Sequence, residues 1–217
     1  MAETIDIFNA NLEPIGAMER IKAHMEAHWH KTFHCWVVST VETPNGSLLF
    51  QLRSPEMINF PNLLDVSAAG HLEVGEAIEE GIREVSEELG FSIDLGRLYS
   101  LGYRVEVADQ ANGQKNREYQ AVYILQSNLR LPGYRPQVEE VTGLIWLDIQ
   151  DGIKLFSGKV HSVIVSGIRY DKTAAEWQSI TKTITLLDFL PRIQNYYLTI
   201  CIMAERLVEE KFPLSIS

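Results

Sequence analysis

Apolar positions recur along this chain with two periods, and the switches between them lay out its elements. The run Ile5-Asp6-Ile7-Phe8, then Asn9-Ala10-Asn11 and Pro14-Ile15-Gly16, predicts a short hairpin over residues 3–18. A helical stretch follows over residues 17–29. β-forming residues from Phe33 to Ser39 and from Ser47 to Leu52 flank the turn Pro44-Asn45-Gly46, which predicts paired strands. Pro55 and Pro61 leave residues 54–65 as loop. The period then changes. Ile78, Ile82, Val85 and Leu89 recur at three- and four-residue steps, the spacing of one buried helix stripe, and Gly90 supplies its stop. Residues 98–107 and 118–125 read as an antiparallel pair around the polar stretch 109–116, and Leu144 to Leu147 as a last short strand.

Past about residue 150 the pattern weakens, and residues 151–182 predict short helices and connections. From Asp188, the residues Leu190, Ile193, Tyr197, Ile200, Ala204 and Leu207 return to three-four spacing. They predict a helix capped by Asp188 with Pro191 in its first turn. Such a helix either packs on the same domain or forms the seam of a homodimer. Strands before and after a central helix imply an α/β fold, a mixed β-sheet sandwiched between helices (α/β/α). The expected division is a domain over 1–150 and a C-terminal helical extension over 151–217, packed on the domain or forming a dimer contact.

Composition narrows the class. A chain of 217 residues, 46% apolar and 22% charged, is that of an ordinary globular protein with an adequate core. Its 19 basic and 29 acidic residues give a formal charge of −10. That argues against a nucleic-acid polymer as partner, because phosphate-backbone binding needs basic surface. An anionic small substrate remains compatible, since a local basic patch or a bound metal reverses the field. Cys35 and Cys201 stand far apart in apolar surroundings and read as buried free thiols of a reducing compartment. No stretch resembles a signal peptide and no 18-residue uncharged apolar run occurs, so a cytoplasmic protein without membrane contact is expected.

The candidate chemistry is densest in the central helix. Glu80, Glu84, Glu87 and Glu88 project roughly opposite its core stripe. Glu84 and Glu88 are one turn apart, a like-charge pair costing about 0.2–0.5 kcal/mol, and Gly81 in mid-helix costs about 1 kcal/mol relative to Ala. A helix that tolerates both is either a solvated acidic face or is stabilised from outside, and hard cations such as Mg²⁺ prefer carboxylate oxygens. The segment from Gly70 to Phe91 resembles the Nudix box. Gly70, Glu76 and the run Arg83-Glu84-Val85-Ser86-Glu87-Glu88-Leu89-Gly90-Phe91 occupy its places. There is one departure: six residues separate Glu76 from Arg83, where the family usually has seven.

Four of the six histidines, His24, His28, His30 and His34, lie within eleven residues, and His71 lies inside the box. Such a run binds metal or, more commonly, is partly exposed or satisfied by core hydrogen bonds. Residues 5 to about 147 resemble the Nudix branch that contains isopentenyl diphosphate isomerase. The marks are His24, Trp29-His30-Lys31-Thr32-Phe33, Gln51-Leu52-Arg53-Ser54, Pro61, Gly70-His71 and Glu118. That resemblance implies a metal held by His24, His30, His71 and Glu118, although Asn116 stands where a further glutamate would be. Ala69 replaces a cysteine that moves a proton in the isomerases, and a methyl group cannot do so. Met57 and Ile58 stand where those enzymes place lysines for the diphosphate, and the isomerases lack the full Arg-Glu-x-x-Glu-Glu run.

The Nudix resemblance therefore implies an enzyme, a hydrolase cleaving a diphosphate linkage in a small molecule, such as a nucleoside diphosphate joined to another moiety. Water would attack phosphorus, with Mg²⁺ or Mn²⁺ held by Glu84, Glu87 and Glu88. Glu76, His24, His30 and His71 are the weaker ligand candidates. Arg83 would support the carboxylates, and Arg53, Gly70 and His71 are candidates for contact with substrate. Glu88 or Glu118 would be the base, with Glu139 and Glu140 as outside candidates. Two other readings are an isopentenyl diphosphate isomerase-like enzyme and a non-catalytic module that senses a nucleotide or diphosphate. Phe60, Trp36, Tyr103 and Trp146 stack on a base or line a pocket, or, in their commoner use, pack in the core.

Overall fold

The computed structural model describes residues 3–93 and 95–217. Strands β1 (Thr4–Phe8) and β2 (Pro14–Glu19) form a separate hairpin, as the sequence predicts, and α1 (Arg20–Met25) follows. The main sheet then collects β3 (His30–Ser39), β4 (Ser47–Arg53), β5 (Leu64–Asp65), β6 (Ala68–His71), β7 (Leu98–Asp109), β8 (Lys115–Gln126), β9 (Val141–Asp148), β10 (Val163–Asp171) and β11 (Glu176–Ile184). Its path is β11-β10-β9-β4-β3-β8-β7, with β5 beside β4 and β6 beside β3. Strands β3 and β8 run parallel while their neighbours pair antiparallel, so the sheet is mixed. Helices α2 (Arg83–Leu89), α3 (Ile149–Phe156) and α4 (Tyr196–Val208) complete the chain.

Side-chain alternation gives the sheet two apolar faces. Trp36, Val38, Leu48, Phe50, Val122 and Ile124 face α3 and α4, while Phe33, Cys35, Val37 and Leu49 face Val85 and Leu89 of α2. Helices thus cover both faces, the α/β/α arrangement expected. One feature of the topology opens the sheet. Strands β3 and β4 pair only through Val38–Leu48 and Ser39–Ser47, then part, β3 continuing against β6 and β4 against β5. The wedge between them receives the candidate site.

The central helix begins later than its stripe. Ile78–Ile82 is a 3-10 segment and α2 starts at Arg83. Five 3-10 residues rise about 10 Å where an α-helix would rise about 7.5 Å, so the shortened link between Glu76 and Arg83 spans more than its residue count would as α-helix. Gly81 marks the closest approach to the sheet: a Cβ there would lie 2.7 Å from Cβ of Phe33. Its entropic cost is what lets the segment pack so closely. Gly90 adopts φ 72° and its N–H bonds to the Ser86 carbonyl, ending the helix where expected.

Three expectations are corrected. Helix α1 spans only residues 20–25 of the predicted 17–29. Residues 163–184 form a hairpin, β10 and β11, that extends the main sheet from β9, so the segment past residue 150 is not a helical extension. Helix α4 starts at Tyr196, not Asp188: the position before a proline favours extended backbone, and Leu190 donates its N–H to the Leu64 carbonyl. Asp188 instead accepts from Lys182 and from the Thr185 N–H, and Ile193 is exposed. Tyr196, Tyr197, Ile200, Cys201, Ala204 and Leu207 are buried in the core shared with α3, so this stripe faces inward. Cys35 and Cys201 are free, and burial pushes both thiols up. Among the described residues, no helix is long and apolar enough to cross a membrane.

Candidate active site

Strand β6 divides the site. Ala69 and His71 face the α4 side of the sheet, and Gly70 faces α2. A Cβ on Gly70 would lie 2.0 Å from the carboxyl carbon of Glu84, so only glycine leaves room for that carboxylate. Arg83 gathers the other acids. Its Nε and Nη2 donate to the two oxygens of Glu76 at 2.8 and 3.1 Å, and its Nη1 to Glu84 at 2.7 Å and Glu87 at 3.0 Å. Nη2 also donates to the His71 carbonyl at 2.9 Å, so one guanidinium fastens α2 to β6. Oε2 of Glu88 accepts from the Ala69 N–H at 2.8 Å and from Gln51 at 3.3 Å, leaving Oε1 for a cation or a proton.

Burial pushes the Glu84 carboxyl up to about 7 despite Arg83, and Glu87 adds to the rise. Burial also drives Glu88 well above the usual carboxylate range; the Ala69 N–H offsets part of this and Glu84 adds to it. Glu140, in the loop before β9, raises both further. Crowded carboxylates that favour protons are ones a divalent cation would hold ionised, and an all-oxygen donor set suits Mg²⁺ or Mn²⁺.

Across β6 lies a second cluster. His24 from α1, His30 and His71 from β3 and β6, and Glu118 from β8 bring four ligand atoms within 4.8 Å of one another. The β3–β8 register sets His30 directly beside Glu118. Nδ1 of His24 lies 2.8 Å from the Arg20 carbonyl and Nδ1 of His30 lies 2.9 Å from the His28 carbonyl, which assigns the protons to Nδ1 and the lone pairs to Nε2. Among the described residues, Nε2 of His30 and of His71 is buried without a hydrogen-bond partner. Burial holds His30 below the ordinary histidine value against the pull of Glu118, and burial together with His30 holds His71 well below it. Burial would raise Glu118, but His24, His30 and His71 more than offset this, and its Oε2 accepts from Gln120 at 2.7 Å. Orphaned imidazole nitrogens around an ionised carboxylate fit a divalent metal.

A cavity of about 160 Å³ connects this cluster, past Thr32 and Ala69, to Arg53, Asp65 and Arg192 in the wedge between β3 and β4. Arg192, just before α4, donates to Asp65 at 2.6 Å and lies 3.7 Å from Glu106, which is itself paired with Arg104. Arg104 also donates to Gln120 at 2.6 Å and lies over the Tyr196 ring. The Tyr196 hydroxyl accepts from Trp36 at 2.9 Å and lies 3.1 Å from His34, which burial pushes down to about 3.

The structure brings Glu84, Glu87, Glu88, Arg83 and Gly70 together on one side of β6, and His24, His30, His71 and Glu118 on the other. Glu76 has both oxygens engaged by Arg83, and the Glu73 N–H donates to one of them. Arg53 lines the cavity while holding the carbonyls of Asn59 and Phe60 and the Asp65 carboxylate. His28 turns away to Glu26. Phe60 lines the cavity, Trp36 and Trp146 are core, and Tyr103 lies exposed beside Tyr119. Sequence reasoning missed Gln51, Asp65, Arg104, Glu106, Gln120 and Arg192. The signal for two of them was present: Arg104 and Glu106 alternate with Tyr103, Val105 and Val107, and it is the charged set that points inward.

No family model matches the chain. It is 34% identical over 197 residues to an uncharacterized Nudix hydrolase of Clostridium acetobutylicum, covering 90% of this chain and 93% of that one. It is 30% identical over 156 residues to an isopentenyl-diphosphate Delta-isomerase of Salmonella arizonae, covering 70% of this chain and 80% of that one. The crystal structure of DR0079 from Deinococcus radiodurans matches the fold with a TM-score of 0.56 at 24% identity, over 72% of this chain and 90% of that one.

Proposed function

The chain belongs to the Nudix hydrolase family, and we propose that it is a metal-dependent enzyme cleaving a diphosphate linkage in a small molecule by water attack at phosphorus. The observation that carries this reading is the seating of Glu84 against Gly70, with Arg83 aligning Glu84 and Glu87 beside it. Glu84, Glu87 and Glu88 would hold Mg²⁺ or Mn²⁺, which supplies charge neutralisation to the diphosphate and acidifies water. Arg83 keeps the carboxylates in register, and Glu88 offers its free oxygen to a cation or a proton. The histidine cluster with Glu118 is a second metal position on the opposite face.

A second reading, an isomerase of isopentenyl diphosphate, draws support from that histidine cluster. Ala69 stands against it, since its methyl group lines the cavity and has no proton to move. A mass-resolved assay tests both. Nucleotide sugars, dinucleoside polyphosphates, coenzyme A, nucleoside triphosphates and isopentenyl diphosphate are incubated with and without Mg²⁺. Cleavage that requires metal, and that Glu87→Gln abolishes with melting unchanged, is expected. Turnover retained in Glu87→Gln would sink the hydrolase reading, and isopentenyl diphosphate isomerised without cleavage would establish the second.

A further inference from the structure

The end of the cavity opposite the histidines is built of charges that the hydrolysis proposed above does not use. Arg192, Arg53 and Arg104 meet Asp65 and Glu106 there, with the side chains of Arg192, Arg104, Asp65 and Glu106 all buried. The two buried guanidiniums balance the two buried carboxylates, and the less buried Arg53 adds a third positive charge at this end, while the cavity's remaining carboxylate, Glu118, lies at the histidine end. A surplus of guanidinium donors at one end of a cavity favours an anionic partner there. The unanswered polar atoms point the same way. Among the described residues, Nε of Arg192, Nε of Arg104 and Oγ1 of Thr32 are buried without a hydrogen-bond partner; Oε2 of Glu106 also lacks a hydrogen bond but is in ion-pair contact with both Arg104 and Arg192. Two of these three can only donate, and Arg192 and Thr32 line the cavity.

Size limits what can enter. A cavity of about 160 Å³ is close to one of about 150 Å³ that accepts benzene, so the part of a ligand held within it is no larger than that. A hydrocarbon tail of that size would fit by volume but would leave the Arg192 donor unpaired, which is how polar sites reject apolar analogues.

We propose that this end of the cavity is an anion subsite centred on Arg192, and that the substrate is a molecule whose compact buried end carries an acidic group such as a carboxylate. The subsite deepens the hydrolase reading and rests on it only for a diphosphate that would meet the second metal position, the histidine cluster at the cavity's other end. Its guanidinium is held in place by Asp65, so it is oriented before ligand arrives. The segment that delivers Arg192 also walls the cavity with Leu190 and Pro191, which makes residues 190–192 a specificity element.

Binding tests this without turnover. Protein equilibrated with Mn²⁺ is titrated calorimetrically with phosphonoacetate and with propylphosphonate, a probe of similar length with a neutral tail. At least tenfold tighter binding of phosphonoacetate is expected, falling to less than threefold in Arg192→Gln. Because that variant leaves Asp65 buried without its partner, the double variant Asp65→Asn/Arg192→Gln is measured beside it and is expected to lose the preference while remaining folded. Equal binding of the two probes to the unaltered protein, or binding of neither, overturns the subsite. So does a preference that survives in the folded double variant, since the carboxylate would then sit on the metal. Hydrolysis of the substrate panel is read separately, so a failed subsite and a failed hydrolase assignment are told apart.

Discussion

Replacing Gly70 with alanine separates activity from stability. The new Cβ would lie 2.0 Å from the Glu84 carboxyl carbon, so that group must withdraw by about 1.5 Å to reach ordinary contact. The obstacle is the far end of a flexible side chain, and the backbone at Gly70 is not in the left-handed region, so the fold has an easy way to yield. Glu84 would lose its hydrogen bond from Arg83 but also escape the burial that pushes it up to about 7, and Arg83 keeps Glu76 and Glu87. Opposing effects leave stability within about 1 kcal/mol, a shift of about 2–4 °C in melting temperature for a chain this size. A catalytic group misplaced by about 1 Å costs about 100-fold, so kcat/KM should fall by at least that factor, or about 2.7 kcal/mol. Thermal melting and initial rates with saturating Mg²⁺ give both numbers. A variant within fivefold of the unaltered enzyme would refute the need for Glu84 at Gly70, and a fall of more than about 8 °C would show that the backbone, not Glu84, absorbs the methyl.

Three further outcomes follow from the geometry. Gly81→Ala drives a Cβ into Phe33 Cβ and Cγ at 2.7 and 2.8 Å; overpacking of about 1–3 kcal/mol, less about 1 kcal/mol of helix propensity, should lower stability in urea unfolding, and an unchanged or raised midpoint would contradict the close approach. Equilibrium dialysis against Mn²⁺ followed by elemental analysis should show one ion fewer in His71→Ala, while Glu87→Gln keeps the ion of the histidine cluster; equal stoichiometry in His71→Ala and the unaltered protein would dismiss that metal position. His34 is held at about 3 in the fold against about 6.5 unfolded, so the unfolded chain takes the proton first. Its contribution is therefore complete above about pH 6.5 and is lost as pH falls, by about 1.2 kcal/mol between pH 6 and 5. In urea unfolding, His34→Asn should remove that part of the difference between the two pH values, and an unaltered difference would refute it.

The box was readable because its parts are contiguous: one helix, the strand before it and the turn between them carry Gly70, Glu76, Arg83, Glu84, Glu87 and Glu88. The histidine cluster was readable only in part. His28 and His34 share the spacing of His24 and His30, yet His28 turns to Glu26 and His34, which lines the same cavity, meets Tyr196; Glu118 arrives only through the parallel pairing of β3 with β8. Strand β7 inverts the usual alternation, exposing Tyr103, Val105 and Val107 and burying Arg104 and Glu106. The alternation itself is visible in that strand, but not which set points inward, because Arg192, which lies against Glu106, comes from a distant part of the chain. The hairpin of β10 and β11 was hidden for a related reason. Ile164 lies on the solvent side between buried Val163 and Val165, which blurs the period of two.

What holds the two metal-binding candidates in one geometry is the register of β6. A slip of one residue would turn His71 toward α2 and take Gly70 from beneath Glu84, dismantling both clusters at once. Pairing of Thr32 with His71 and of Cys35 with Ala68 sets the register on one edge. On the other, the Ala69 N–H is taken by Glu88 and the His71 carbonyl by Arg83, both residues of the box. The same two side chains that organise the acidic cluster therefore also fix where His71 points on the far face of the sheet. A four-residue strand has too few ladder bonds to be rigid alone, and side-chain bonds from charged groups, each worth about 1.5–3 kcal/mol, are what a short strand needs. The Arg-Glu-x-x-Glu-Glu run thus has two uses in this fold: presenting carboxylates, and anchoring the strand on which the cavity's own ligand is displayed.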